Sequence, residues 1–230
     1  MHYEIDNCII KSENAALSSS QRNQNIVKFI NELPYCDKML DYGCGKCRYS
    51  PLLNDRCKKL YLADSQIQLK RTQTICGNKT SVEEYSKKFF SNSSIVEVEK
   101  IKKLNERFDF ILCTNVLSAI PFYEERMNVL RNIFNLLKND GKVLVSVQYR
   151  NSYFNTYKSN PNAIMKNDGW LIKKGNSYSF YALISPNKLI DMCYDVGFKM
   201  DRKIIKDGSI YLFLKIQHHS TNCFLYQKKE

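Results

Sequence analysis

The stretch KMLDYGCGKCRYSPL, Lys38 to Leu52, gathers an aspartate, two glycines spaced G-x-G and two cysteines spaced C-x-x-C. Asp41, Gly43 and Gly45 together suit a nucleotide-like ligand lying against the end of a β-strand. The glycines let the backbone turn sharply and approach a ligand closely. Asp64 stands 19 residues after Gly45, at the end of the next apolar run. That is where an acidic group binds ribose hydroxyls, and a carboxylate can accept from both vicinal hydroxyls at once. A dinucleotide fingerprint needs a further glycine at position 48, where Arg48 stands. A nucleoside without phosphates, with a cationic or polar tail near Asp41, fits better. Duller roles stay open: Asp41 as a turn former, Asp64 as a carboxylate favoured at a helix N-terminus, Asn115 as a helix cap.

Cys44 and Cys47 also have a metal or redox spacing, but a structural zinc site needs about four ligands. No second C-x-x-C exists, and the histidines are His2, His218 and His219, at the chain ends. No metal is expected. The nine cysteines are an odd number, and several sit in apolar segments such as FILCTNVL, as small hydrophobes do. The first twenty residues hold Glu4, Asp6 and Glu13 and no long apolar core, so neither a signal nor a transit peptide is expected. No apolar run approaches the roughly 18 to 20 residues that cross a bilayer. Reduced thiols and a cytoplasmic location follow. The net charge is +12, of which residues 138–230 carry 15 basic and 7 acidic groups, net +8. Such an excess suits an anionic partner. The basic residues are dispersed, though, in a chain rich in Asn, Lys and Ile, a bias that an AT-rich genome produces without selection for binding.

At 230 residues, with 43 % hydrophobic and 25 % charged side chains, the chain suits one packed domain. Residues 1–35 are expected to form an N-terminal helical segment, with a helix over 18–33 stopped by Pro34. Short apolar strands are expected at KMLDY, KLYLADS, SSIVEVE, FDFILCTNVL and KVLVSVQY, alternating with helices at RYSPLLNDR, QIQLKRTQTI (closed by Gly77), SVEEYSKKFF and the long amphipathic PFYEERMNVLRNIFNLLKND. Near-continuous apolar strands alternating with helices imply parallel strands covered on both faces. The expected fold is α/β: a doubly wound, mostly parallel seven-stranded sheet with helices on both faces and an antiparallel hairpin at one edge. Residues 36–148 form its core. Residues 149–184 break the rhythm and read as an irregular inserted segment. Order returns over 185–217 with a helix at SPNKLIDMCYDVGF and the edge hairpin. Residues 218–230 read as a loose tail.

In such a sheet, ligands bind beyond the carboxyl ends of the strands at the switch point. There the chain resembles the class I S-adenosylmethionine-dependent methyltransferases. MLDYGCGKCRYSPLL is similar to their first motif, a strand then D-x-G-x-G. LYLADSQ is similar to the second, FDFILCTNVLSAI to the fourth, and VLRNIFNLLKNDGKVLVSV to the helix and strand after it. The resemblance covers about residues 20–148, with the motifs in order. One departure is Cys47, where the first motif has its last glycine. The resemblance implies S-adenosyl-L-methionine as cofactor, with Asp41, Gly43, Cys44 and Gly45 at its methionine end and Asp64 and Ser65 at the ribose. It places Ile101 near the adenine, and Asn115 and Val116 beneath the sulfonium.

The N/D-P-P-Y/F signature of base amino-methylating enzymes is absent after the fourth strand, where TNVL stands, and Cys113 lacks the Pro-Cys context of cytosine C5 enzymes. Methyl transfer to a small molecule is therefore expected. Two alternatives stay open. One is an enzyme acting on RNA or DNA through Lys158, Lys166, Lys173 and Lys174 among Tyr157, Trp170, Tyr178 and Phe180. The other is an inactive binding protein of this fold. Methyl transfer from a sulfonium requires no fixed catalytic group. A base, if used, would be Asp, Glu or Tyr, and Tyr149 at the end of the fifth strand is a candidate. Aromatics of 149–184 suit either a substrate lid or the cover of the sheet edge.

Overall fold

A computed structural model describes residues 1–150 and 152–217. The chain runs β1 (His2–Ile5), β2 (Cys8–Lys11), α1 (Gln24–Asn31), β3 (Cys36–Tyr42), α2 (Ser50–Asn54), β4 (Cys57–Asp64) and α3 (Gln66–Lys70). It continues through β5 (Gln73–Ile75), β6 (Asn78–Thr80), α4 (Val82–Phe89), β7 (Ser93–Glu97), β8 (Phe108–Thr114), α5 (Tyr123–Leu136) and β9 (Leu137–Gln148). It ends on α6 (Ser152–Tyr157), β10 (Ala163–Lys166), β11 (Gly169–Lys174), β12 (Ser177–Ala182), α7 (Pro186–Val196), β13 (Phe198–Lys206) and β14 (Ser209–Ile216).

Seven strands form the main sheet in the order β13-β14-β9-β8-β3-β4-β7. Five of them, β7, β4, β3, β8 and β9, are parallel, and β14 and β13 add an antiparallel hairpin at the edge. This is the expected doubly wound sheet. Leu40, Leu60, Leu62, Ile111, Leu112, Val143 and Leu144 are fully buried, because helices cover both faces and leave no strand residue a wet side. Leu40, Ile111 and Val143 face α5 and α7. Leu60, Leu62, Leu112 and Leu144 face α1, α2 and α4. The direction of strand addition reverses between β3 and β8, which makes the switch point there.

Local chemistry sets the helix boundaries. Asn23 caps α1 by accepting from the amides of Asn25 and Ile26. Ser81 and Glu84 form a capping box on α4. Ser185 caps α7, with Pro186 in the first turn and Gly197 left-handed at its end (φ +102°).

The structure departs from the sequence expectations in three segments. Residues 1–35 are not simply helical: β1 and β2 form a hairpin turned at Asp6 and Asn7, both at positive φ, the backbone of a tight two-residue hairpin turn. The helix expected over 66–75 stops at Lys70, and β5 pairs with β6 across Cys76 and Gly77, again both at positive φ. Residues 149–184 are not irregular. They supply α6 and three strands of a second sheet, ordered β1-β2-β12-β11-β10. The N-terminal hairpin joins β12 by a parallel pairing at Ile10 and Tyr178. The expected tail, 218–230, lies outside the described residues.

Candidate functional site

The carboxyl ends of β3, β4 and β8 open into a cavity of about 910 Å³. Asp41, Gly43, Cys44, Gly45, Asp64, Ser65, Asn115 and Val116, eight of the residues singled out from sequence, all line it. Three elements roof it: the segment Ser12–Leu17, and the facing strands β11 and β12.

The turn after β3 explains its sequence. Gly43 has φ +74°, and a Cβ there would stand 2.3 Å from Val116 Cγ2. Gly45 has φ +56°, and its amide donates to the Asp64 carboxylate at 2.9 Å. Cys47, at the position of the departing third glycine, also holds a left-handed backbone at φ +54°. Its amide donates to the Cys44 carbonyl at 2.9 Å, and its thiol is fully buried. The position therefore keeps the glycine conformation with a cysteine in it, at a cost of about 1–2 kcal/mol.

Asp41 is buried and accepts a 2.6 Å hydrogen bond from Ser50 Oγ at the start of α2. Burial outweighs that bond and pushes the Asp41 carboxyl up to about 6. Asp64 accepts from the backbone amides of Gly45 and Ser65. Burial raises its carboxyl too, against those two bonds. Ser65, and not Asp64, caps α3, by accepting from Gln68 N. A carboxylate has about four acceptor positions, so two amide donors leave room for a diol. Asn115, at φ +58°, accepts from the Gln148 amide at 3.1 Å through Oδ1. It braces β8 against β9 and does not cap the following 3-10 turn.

Two sequence candidates fall outside the cavity lining. Ile101 is buried in the core on the α5 face, because Val98–Lys103 coils into a 3-10 helix; Val98 takes the cavity position. Tyr149 follows Gln148, and strand side chains alternate sides. Gln148 lines the cavity, while Tyr149 lines a separate cleft with Arg150, Phe154 and Ile205.

The second sheet brings in Tyr181, which the sequence reading offered, with Trp170 and Phe180, as a substrate lid or a cover of the sheet edge. Tyr181 reaches back over the ends of β8 and β9, with its hydroxyl 3.5 Å from Gln148 Oε1. Burial, helped by Tyr157, pushes it up to about 12, so at neutral pH it is a hydrogen-bond donor and not a base. Glu13 also lines the cavity and bonds His2 Nε2 at 2.8 Å. Burial pushes its carboxyl up, but the His2 bond and its own backbone amide prevail and hold it below the usual range. Alternation over GWLIKKGNSYSFYAL, with Gly175-Asn176 as the turn, was the available signal for this hairpin.

Among the described residues no group of three His, Cys, Asp or Glu side chains could hold a metal, and no helix is long and apolar enough to cross a membrane. The donor set fits S-adenosyl-L-methionine: a half-buried carboxylate with spare acceptor positions for a ribose diol, a second, buried carboxylate by the glycine turn for a cationic tail, and apolar Val98 and Val116 in the same lining.

Residues 17–203 match the family described as methyltransferase domain. The uncharacterized protein YmfD of Escherichia coli (strain K12) is 32 % identical over 212 residues, covering 92 % of this chain and 95 % of that protein. An S-adenosylmethionine-dependent methyltransferase from Clostridium acetobutylicum superposes with a TM-score of 0.60 at 16 % identity, over 89 % of this chain and 94 % of that one. The N-methyltransferase NodS from Bradyrhizobium japonicum WM9, solved with S-adenosyl-L-homocysteine, gives a TM-score of 0.56 at 12 % identity, over 85 % of this chain and 87 % of that one.

Proposed function

The chain belongs to the methyltransferase-domain family, with S-adenosyl-L-methionine as cofactor, and from that premise we propose that it transfers a methyl group to a small-molecule acceptor in the cytoplasm. The observation that supports a small acceptor is the roof: Ser12–Leu17 and β11–β12 enclose the same cavity that holds the strand-end carboxylates.

Asp64 would hold the ribose hydroxyls, and Asp41 would face the cationic end of the cofactor. The left-handed turn at Gly43 and Gly45 removes Cβ atoms from the path of the ligand. The cofactor supplies the reactivity, as an electrophilic methyl on a sulfonium with a neutral thioether as leaving group. The protein contributes orientation and exclusion of water. Asn115, held by the Gln148 amide, and the Tyr181 hydroxyl would orient the acceptor atom. The new bond to the methyl carbon would form in line with the carbon–sulfur bond, whose electron pair would stay on the sulfur of the leaving thioether. A proton on the acceptor leaves to solvent or to a nearby carboxylate.

Isothermal calorimetry with S-adenosylhomocysteine tests the premise. Saturable binding is expected in the wild type and none in Asp64→Ala; a wild type that does not bind sinks the proposal. Production of S-adenosylhomocysteine from S-adenosylmethionine with a small-metabolite extract then separates an enzyme from an inactive binding protein.

A further inference from the structure

We propose that the acceptor carries an anionic group, a carboxylate or a phosphate, held at the end of the cavity walled by the second sheet. The inference rests on the methyl-transfer reading above and deepens it.

Of the carboxylates that line the cavity, Asp41 is bonded by Ser50, Asp64 by two backbone amides and Glu13 by His2; Glu125, in the first turn of α5, has no hydrogen-bond or ion-pair partner among the described residues. The cations that line the cavity are Lys46, Arg48 and Lys174, and among the described residues none of them makes an ion pair. Of the other lysines on these strands and on α7, Lys166 pairs with Asp6 and Lys188 with Asp168, while Lys11 and Lys173 make no ion pair among the described residues but do not line the cavity. Lys174 lies on the cavity side of β11, on the face shared by Ile172 and, across the hairpin, Ser179 and Tyr181.

Arg48 stands on the opposite wall. Its Nη1 donates to the Gln21 carbonyl at 3.1 Å, and its guanidinium stacks 4.8 Å from the Tyr49 ring centroid. Its charge favours the ionised forms of both Asp41 and Tyr181. The cofactor brings a carboxylate of its own, and Lys46 and Arg48, on the turn beside its methionine end, are placed for it. Lys174 is across the cavity and is left over. A charge with no ion-pair partner among the described residues, on the strand face that carries apolar Ile172 and, further along, Tyr181, suits a small acceptor with an apolar body and an anionic end.

The test uses full-length protein saturated with S-adenosylhomocysteine. Cofactor affinity is measured first by calorimetry, so its failure strikes the methyl-transfer reading and leaves the acceptor result separate. Thermal shift then follows the addition of hydroxybenzoates, their methyl esters, the matching hydroxybenzylamines, phenyl phosphate and short aliphatic carboxylates and phosphates. Anions are expected to stabilise at concentrations about tenfold below those of the esters, with the amines inert. The carboxylate and phosphate arms show which anion is preferred. Lys174→Gln is expected to weaken the anions about fivefold, the size of a solvent-facing ion pair, with S-adenosylhomocysteine affinity within twofold of wild type. Raising the salt should weaken them further. Stabilisation by amines or esters as strong as by anions, no stabilisation by any anion, or anion binding unchanged in Lys174→Gln overturns the proposal. So does tight binding of labelled single-stranded RNA with a steep salt slope that Lys174→Gln reduces, which would make the partner a nucleic acid.

Discussion

The two sheets reach the same cavity by different means. The seven-stranded sheet offers strand ends: Asp41 is the last but one residue of β3, Asp64 the last of β4, and Asn115 the first after β8. The five-stranded sheet offers a face: Ile172, Lys174, Ser179 and Tyr181 project from one side of β11 and β12, while Leu171 and Phe180 pack inward. Strand ends are fixed by the whole core. A face can be rebuilt without touching the strands beneath it. A cofactor shared by a family suits the first, and an acceptor peculiar to one protein suits the second.

The largest expected effect separates the layers mechanically. Arg126 on α5 is fully buried and bonds both carboxylate oxygens of Asp168, at 2.6 and 2.8 Å, and the Ile120 carbonyl. Asp168 sits in the turn between β10 and β11 and also holds Lys188 of α7 at 2.7 Å. Arg126→Ala removes a fully buried guanidinium and its two bonds to Asp168, which is partly exposed and keeps Lys188, and should cost about 2–3 kcal/mol. Thermal unfolding should show the loss, and hydrogen exchange should place it in β10–β12 while β3, β4 and β8 stay protected. A uniform loss of protection would mean that the sheets are one cooperative unit.

The same contrast explains what the sequence disclosed. The main sheet is legible because each strand is an apolar run and its glycine turn has a chemical purpose. The second sheet joins a hairpin of residues 2–11 to strands of 163–182 through the pairing of β2 with β12, and pairing across such a separation leaves no local trace. Aromatics on both faces of β11 and β12 (Trp170, Tyr178, Phe180, Tyr181) also blur the alternation that marks a strand. At the site, Ile101 misled because the segment after β7 coils, which spacing does not show. Tyr149 misled by a single residue of register, since Gln148 holds the inward place. Glu13 became visible as a cavity residue only once folding brought the N-terminal segment over the strand ends, and Tyr181, one of the aromatics read as lid or cover, gained its place beside Gln148 the same way.

The second expected effect falls on the core alone. Gly43→Ala puts a Cβ 2.3 Å from Val116 Cγ2 on a backbone at φ +74°. A loss of about 1–3 kcal/mol is expected, with S-adenosylhomocysteine binding abolished in calorimetry and second-sheet exchange unchanged. Retained binding would show that the turn is not the cofactor's cradle.

The third uses pH. Asp41 carries a raised carboxyl, near 6, so folded protein binds a proton there that the unfolded chain, near 3.9, does not. Its contribution to stability grows as the pH falls from about 6 to 4. Asp168 is the reverse. Burial raises its carboxyl, but the bonds from Arg126 and Lys188 prevail and lower it to about 2. Its contribution is present above about pH 4 and lost as the pH falls toward 2. Binding a cationic ligand beside Asp41 favours the carboxylate. From pH 7 to pH 5 the ionised fraction of a group titrating near 6 falls about tenfold. The affinities for S-adenosylmethionine and S-adenosylhomocysteine should both fall by about that factor, because both carry the ammonium of the methionine end. Flat pH profiles for both ligands would place that ammonium away from Asp41, and a fall for S-adenosylmethionine alone would put the sulfonium there instead.

The smallest effects compare two tyrosines. Tyr181→Phe removes a hydroxyl from the cavity side of β12, where burial keeps it protonated and its oxygen lies 3.5 Å from Gln148 Oε1. One hydrogen bond of about 0.5–1.5 kcal/mol corresponds to a roughly three- to tenfold fall in methyl-transfer rate. Cofactor affinity should be unchanged, because Asp41 and Asp64 stand on other strands. Tyr149 pairs through its backbone amide with the Gly208 carbonyl at 2.9 Å, and its ring faces the cleft beside Ile205 and Lys206. Tyr149→Phe keeps that amide and that ring, so rate and affinity should both stay within twofold. Steady-state kinetics of both variants, with any acceptor that turns over, decides between the two walls. A rate lost in Tyr149→Phe and kept in Tyr181→Phe would move the acceptor out of the cavity and onto the β13–β14 side, and would leave the second sheet as a cover for the cofactor alone.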